Sequence, residues 1–370
     1  MRLCVIWTLL AIISTAHGSP LIDATKDQTV TISNTHPLIF YHGRWDSSPG
    51  TWWADSGLKL NVQDLSALTL NLGSHTTSPL ASVGVSVDNS PFYQVNVSEG
   101  ANVIPLSAPS SPDFEGEKSG STLVRINVEG WQNNRINLES ITLNKGAKLL
   151  PYERSKLAFQ FIGDSLSAGQ YLPHGVNQAW PFLTGEFFGA EHNINAQPGA
   201  TLSDIPSYGN VHGVSFEFFR TEDTGYYYTT DHNYTTPWNF ARDVPPTHVV
   251  VHIGANDASQ NVTDTGFFQV YDNFLTRLRT LYPTQPVFVF TPWGWPQPDG
   301  PNSYYYETVY PEIVKARHDI GDRNVFLVNT TGWVTYEDVF PGNIHPSVAG
   351  HIKIAGLFEK WLENWGLKQV

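Results

Sequence analysis

The chain has 370 residues, of which 41% are hydrophobic and 13% aromatic, enough to bury a sizeable core and too many for a disordered polypeptide. Its 21 Lys and Arg stand against 34 Asp and Glu, a net charge of −13, which excludes the clustered basic surface needed to coat phosphate backbones, so no nucleic-acid partner is expected. The length favours two domains over one.

At the N-terminus, Arg2 precedes an apolar run from Leu3 to Ile13, which ends in Ser14-Thr15-Ala16-His17-Gly18. This pattern predicts a secretory signal peptide over residues 1–18, cleaved after Gly18, and hence a secreted, extracellular protein. Cleavage would remove Cys4, the only cysteine, so neither disulfides nor thiolate chemistry are expected in the mature chain. Sequons at Asn96, Asn233, Asn261 and Asn329 agree with a secretory route and predict glycosylation at exposed positions. No later apolar run approaches the length of a bilayer span, so no membrane association is expected.

From residue 21 to 147 the hydrophobic period is two. Leu68, Leu70 and Leu72 alternate with polar residues, as do Val83, Val85 and Val87, then Tyr93, Val95 and Val97, then Val124, Ile126 and Val128. Closely spaced strands with one wet face, joined by turns such as Asp88-Asn89-Ser90-Pro91, predict an antiparallel, jelly-roll-like β-sandwich. Residues 148–156, with charges and a proline, read as a linker. Beyond it, from 157 to 370, continuous apolar runs at Leu157–Ile162, Thr247–Ile253, Pro286–Phe290 and Asn324–Val328 predict parallel strands buried on both faces. Phe267, Val270, Phe274, Leu278 and Leu281 recur at helical spacing, as do Ile354, Phe358, Trp361 and Trp365. The alternation predicts a three-layer α/β domain with a mainly parallel sheet. Residues 201–246, with the aromatic run Tyr226-Tyr227-Tyr228 and His232, form a long insertion that reads either as a lid or binding wall of a site or as a structural excursion.

Chemistry concentrates after these strands. Phe161-Ile162-Gly163-Asp164-Ser165 places a serine hydroxyl just past the first apolar run, at the sheet edge where open α/β folds hold their sites. Alone, Ser165 is equally well read as a helix cap. Gly254-Ala255-Asn256-Asp257 follows another run and offers an amide that can donate to an oxyanion. Between them, Asn195-Ala196-Gln197-Pro198-Gly199 provides a glycine whose backbone can approach a substrate, and Asn343-Ile344-His345-Pro346 sets a histidine before the last helix. Asp164 and Asp257 are read as loop anchors. His248 and His252 fall on a buried strand, and no H-E-x-x-H spacing occurs, so neither metal nor other cofactor is expected.

The four segments in this order resemble the SGNH (GDSL-type) esterase superfamily over residues 157–370. The resemblance implies Ser165 as nucleophile, His345 as general base, and an oxyanion hole of the Ser165 and Gly199 backbone N–H groups with the Asn256 side chain. Its usual aspartate three residues before the histidine is here Gly342. Asp338 or Glu337 could orient His345 instead, or a backbone carbonyl could; a Ser–His dyad held by a carbonyl is the reading we favour. The fused sandwich, together with His42-Gly43-Arg44-Trp45-Asp46, looks like carbohydrate esterase family two. That likeness implies removal of O-acetyl groups from xylan- or mannan-type polysaccharide, with an aromatic side chain stacking the sugar, for which Trp293, Trp295 and Trp238 are candidates. The alternatives are a lipid or aryl esterase of the same fold and a catalytically inactive glycan-binding protein. The sequence fixes no oligomeric state.

Overall fold

The computed structural model describes residues 29–108, 120–130, 134–221 and 236–370. The expected signal peptide, the run from Tyr226 to His232 and the sequon at Asn233 lie outside these residues.

The N-terminal region is two antiparallel sheets packed face to face. One holds the strands Val30–Ser33, Gly50–Thr51, Leu68–Leu72, Gly100–Ile104 and Ile136–Leu143; the other holds Phe40–His42, Gly57–Gln63, Ala81–Val87, Tyr93–Val97, Ser121–Val128 and Lys148–Leu150. The alternating residues read from the sequence form the filling. Leu68, Leu70, Val83, Val85, Val124, Ile126 and Val128 are all fully buried in one cluster. The turn at Asp88-Asn89 takes positive φ at both residues, +51° and +58°, a conformation that asparagine and aspartate tolerate better than most side chains. One expectation is corrected here. The stretch 148–156 does not begin as a free linker, because Lys148–Leu150 pairs antiparallel with Asn61–Gln63 and extends the second sheet.

The C-terminal region is a parallel sheet of five strands, β1 (Ala158–Asp164), β2 (Glu191–Gln197), β3 (His248–His252), β4 (Val287–Phe290) and β5 (Val325–Val328), in the spatial order β2-β1-β3-β4-β5. Alternate residues of these strands feed two apolar layers. Phe159, Phe161, Val250, Phe288 and Phe290 meet the helices Trp180–Phe187 and Val348–Trp365, while Ile162, Val249, Val251, Val287 and Val289 meet Asp264–Leu281 and Val309–Asp319. Thr263 and Ser347 cap the two longest helices through their hydroxyls. Strand order reverses beside β1, which opens a crevice at the carboxyl ends of β2, β1 and β3.

β2 is an edge strand, yet all seven of its residues are buried, and five of them are polar. The second sandwich sheet covers it and supplies the partners. Lys59 meets Glu191 at 2.5 Å, Asp55 meets His192 at 3.0 Å, and the Gly43 N–H donates to Asn193 at 3.0 Å. Arg125 of the same sheet pairs with Glu186 at 2.7 Å, and Glu186 also meets His192. Edge strands are usually blunted with exposed charge; here the edge is covered and its polar groups are paired.

Candidate active site

β1 ends against β3 so closely that a side-chain carbon at Gly163 would lie 2.5 Å from the Ser167 hydroxyl and 2.8 Å from the His252 carbonyl, which is why glycine stands there. Asp164 then stops the strand and caps one helical turn, its carboxylate accepting from the Leu166 N–H at 3.0 Å. Burial pushes its pKa up to about 7. Ser165 opens that turn with its hydroxyl facing the crevice, and Gly169 ends the turn in the left-handed region.

The opposite wall is the loop between β5 and the last helix. Bridging between Val339 and Pro346, and hydrogen bonds from Phe340 N–H to the His345 carbonyl and from Ser347 N–H to the Asp338 carbonyl, fold it into a tight hairpin. His345 thereby reaches across, with Nε2 3.0 Å from Ser165 Oγ. Asn343 grips it twice: its carbonyl oxygen lies 2.9 Å from His345 Nδ1, and its side-chain oxygen accepts the His345 backbone N–H at 3.0 Å. With Nδ1 carrying a proton toward that carbonyl, Nε2 is left as an acceptor for the serine hydroxyl. Burial lowers the His345 pKa, and the Asn343 carbonyl only partly opposes it, so the ring is neutral at pH 7.

Neither candidate carboxylate reaches the histidine. Asp338 Oδ2 accepts from the Thr335 N–H and hydroxyl, both at 2.8 Å, and from Lys353 at 2.6 Å, while Glu337 is exposed. Asp338 is thus spent on capping its own turn and on the last helix, and the proposed role for either residue as orienter is corrected.

The third side comes from the ends of β2 and β3. Gly199 holds φ +78° where a side-chain carbon would press on Tyr208 at 2.7 Å. Asn256 donates one amide hydrogen to the Ala200 carbonyl at 2.9 Å and keeps the second. Asp257 accepts the Leu202 and Ser203 N–H groups at 2.7 and 3.0 Å and so anchors the turn after Gly199. Ser165, Gly199, Asn256 and His345 line one cavity of about 710 Å³. A serine bonded to a neutral imidazole, facing preset N–H donors, is an arrangement able to form and hold a tetrahedral oxyanion.

Of the three tryptophan candidates, only Trp295 lines this cavity. Trp293 is 2% exposed and stacks on His252 at 3.8 Å, filling the layer beneath the sheet edge. Trp238 is buried beneath Arg44 and donates its indole N–H to Asp243. Both are packing residues. Sequence reading missed two others. Tyr171 is 54% exposed with its ring edge-on to His345 at 4.9 Å, and Tyr208 is 65% exposed on the far lip. Both take positive φ, which is rare for so bulky a side chain. The available signal for Tyr171 was its place just past the glycine that closes the nucleophile's turn. Among the described residues, no group of three His, Cys, Asp or Glu is placed to hold a metal ion.

Comparison with known proteins agrees with this architecture. Three solved structures share the fold over nearly all of their own length. A family two carbohydrate esterase from Cellvibrio japonicus aligns at TM-score 0.70 and 17% identity, covering 91% of this chain and 98% of that one. The acetyl xylan esterase Est2A from the rumen bacterium Butyrivibrio proteoclasticus aligns at 0.67 and 16%, covering 91% and 99%. A Clostridium thermocellum family two carbohydrate esterase in complex with cellohexaose aligns at 0.65 and 20%, covering 88% and 98%. No curated protein matches the sequence. The family model for the GDSL-like lipases and acylhydrolases runs from 161 to 352, more than half of the chain and all the segments that meet at the crevice, and the chain belongs to that family.

Proposed function

We propose that the protein is a secreted serine esterase that removes O-acetyl groups from a xylan- or mannan-type polysaccharide. The observation that carries this reading is the 3.0 Å contact between Ser165 Oγ and His345 Nε2, with Nδ1 held by the Asn343 carbonyl. Ser165 attacks the acetyl carbonyl while His345 takes its proton, and the oxyanion is met by the Ser165 and Gly199 N–H groups and the free Asn256 amide hydrogen. As the acyl C–O bond breaks, His345 returns the proton to the departing sugar oxygen, which leaves as a hydroxyl. Water, activated by the same imidazole, adds to the acetyl-enzyme and releases acetate, restoring Ser165.

The lining suits a sugar. Gln170, Asn256, Ser259, Gln297 and Ser303 offer hydrogen bonds beside the aromatic rings of Tyr171, Tyr208 and Trp295. The solved neighbours that act on or hold carbohydrate support the same substrate class. Export is supported by the N-terminal sequence pattern and by the exposure of the sequon residues Asn96, Asn261 and Asn329.

The test is acetate release from acetylated xylan by the purified protein beside Ser165→Ala. Release that disappears in the variant is expected. Equal release by both would overturn the serine mechanism. A rate that climbs with acyl length on simple esters, with none on xylan, would replace the polysaccharide by a lipid or aryl ester.

A further inference from the structure

We propose that Arg44 is a positioning residue through which the β-sandwich holds the oxyanion wall of the crevice in place; the inference rests on the esterase reading above. Arg44 belongs to the sandwich, but its side chain is wholly buried in the other half of the molecule. Its guanidinium lies 4.6 Å from the Trp238 ring and 5.1 Å from that of Phe240, bonds Asp243 at 3.2 Å, and donates to the Phe218 carbonyl at 3.0 Å. Two further bonds join the same parts: Trp53 donates its indole N–H to the Thr221 carbonyl at 3.0 Å, and Arg242 donates to the Trp45 carbonyl at 2.9 Å.

The clamped carbonyl leads directly to the site. Phe218 closes the short helix Val214–Glu217, and its ring packs in one apolar cluster with Ala200 and Leu202. At the other end of that helix, the Val214 and Ser215 N–H groups donate to the Thr201 and Leu202 carbonyls at 2.8 and 3.2 Å. The turn that presents the Gly199 N–H is therefore held from within by Asp257 and from behind by this helix, which the sandwich fixes through Arg44. A lysine keeps the charge but has no planar fork, so it cannot lie across Trp238 while bonding both Asp243 and the carbonyl.

The test uses the full chain and 4-nitrophenyl acetate, an ester too small to touch the sandwich. Active molecules are counted by stoichiometric fluorophosphonate labelling of Ser165, so unfolded protein drops out. Arg44→Lys is expected to lose about tenfold or more in kcat per labelled site, with KM within about threefold, because misaimed oxyanion donors weaken the transition state and leave ground-state binding intact. Should Arg44→Lys fail to fold, Trp53→Phe, which keeps an aromatic ring but gives up the bond to Thr221 and part of the buried indole, is expected to lower kcat about threefold or more in the same assay. Either variant folded with kcat per site within about twofold of the parent, or a loss expressed in KM alone, would overturn the clamp. Failure of the unsubstituted protein to label would instead overturn the serine reading itself, and the clamp with it, a result visible before any Arg44 variant is made.

Discussion

Asn343 gives His345 a partner without a charge. A carbonyl fixes the tautomer and the ring plane, but unlike a carboxylate it would offer little to the imidazolium that the proposed mechanism forms when His345 takes the Ser165 proton. Burial adds to this, and the ring's pKa falls below its ordinary 6.5. In the proposed mechanism the active form is the neutral imidazole, so kcat/KM is expected to be flat through pH 7 and to fall only as pH drops through that lowered pKa. A pH–rate profile on a soluble acetate ester checks this; an acid limb centred above 6.5 would contradict it. On the proposed mechanism the neighbouring carboxylates are dispensable for chemistry. Replacing both Asp338 and Glu337 by their amides should leave kcat within about tenfold, against the loss of about 10⁴ that follows removal of a triad acid. The double variant should also show a lower Tm, since Asp338 ties its turn to Lys353.

The elements differ in how openly the sequence displays them. Sandwich strands and the strands β1, β3, β4 and β5 carry their burial in their own apolar residues, so periodicity finds them. β2 reads Glu-His-Asn-Ile-Asn-Ala-Gln and is invisible to that method, because what buries it is the sandwich, and its polar groups are satisfied by Lys59, Asp55 and Gly43 from far away in the chain. The convergence of Ser165, His345 and Asn256 was legible because each sits in a short local motif at or near a strand end. What holds His345 was legible only as a choice among partners, since a backbone carbonyl leaves no mark in the side-chain sequence. The tryptophans misled for a related reason: Trp238 and Trp293 have the composition of a sugar platform, but burial, which sequence does not report, makes them packing. Pro198, Gly199 and Tyr208 line the cavity where those two tryptophans do not. Truncating Tyr208→Ala keeps the carbon next to Gly199 and removes the exposed ring, so KM for acetylated xylo-oligosaccharides should rise severalfold, about 1 kcal/mol, while 4-nitrophenyl acetate turnover stays within about twofold. Equal KM values on the oligosaccharide would remove Tyr208 from substrate binding.

At the scale of the whole molecule, the two halves meet through buried charge as well as shape. His192 lies between Asp55 and Glu186, with Arg125, Lys59 and His42 close by. Burial alone would strip its proton, but the two carboxylates outweigh burial and push its pKa up to about 9. A histidine whose pKa is raised by folding adds stability in full below its unfolded value near 6.5 and loses it as pH climbs toward 9. Thermal unfolding temperature is therefore expected to decline over that window, and His192→Gln should start lower and decline less. A parent protein equally stable at pH 6.5 and 9 would refute the assignment. The covered edge strand has a practical corollary for anyone dissecting or recombining this protein. A chain cut to begin at 157 would expose the β2 edge, leave Glu191 and His192 without their cross-sheet partners, and present a ready template for strand addition between molecules. It should sediment as aggregate where the parent does not. The sandwich is thus unlike a tethered module that can be shortened off or exchanged for another; a graft of this hydrolase onto a new scaffold has to carry its companion sheet along.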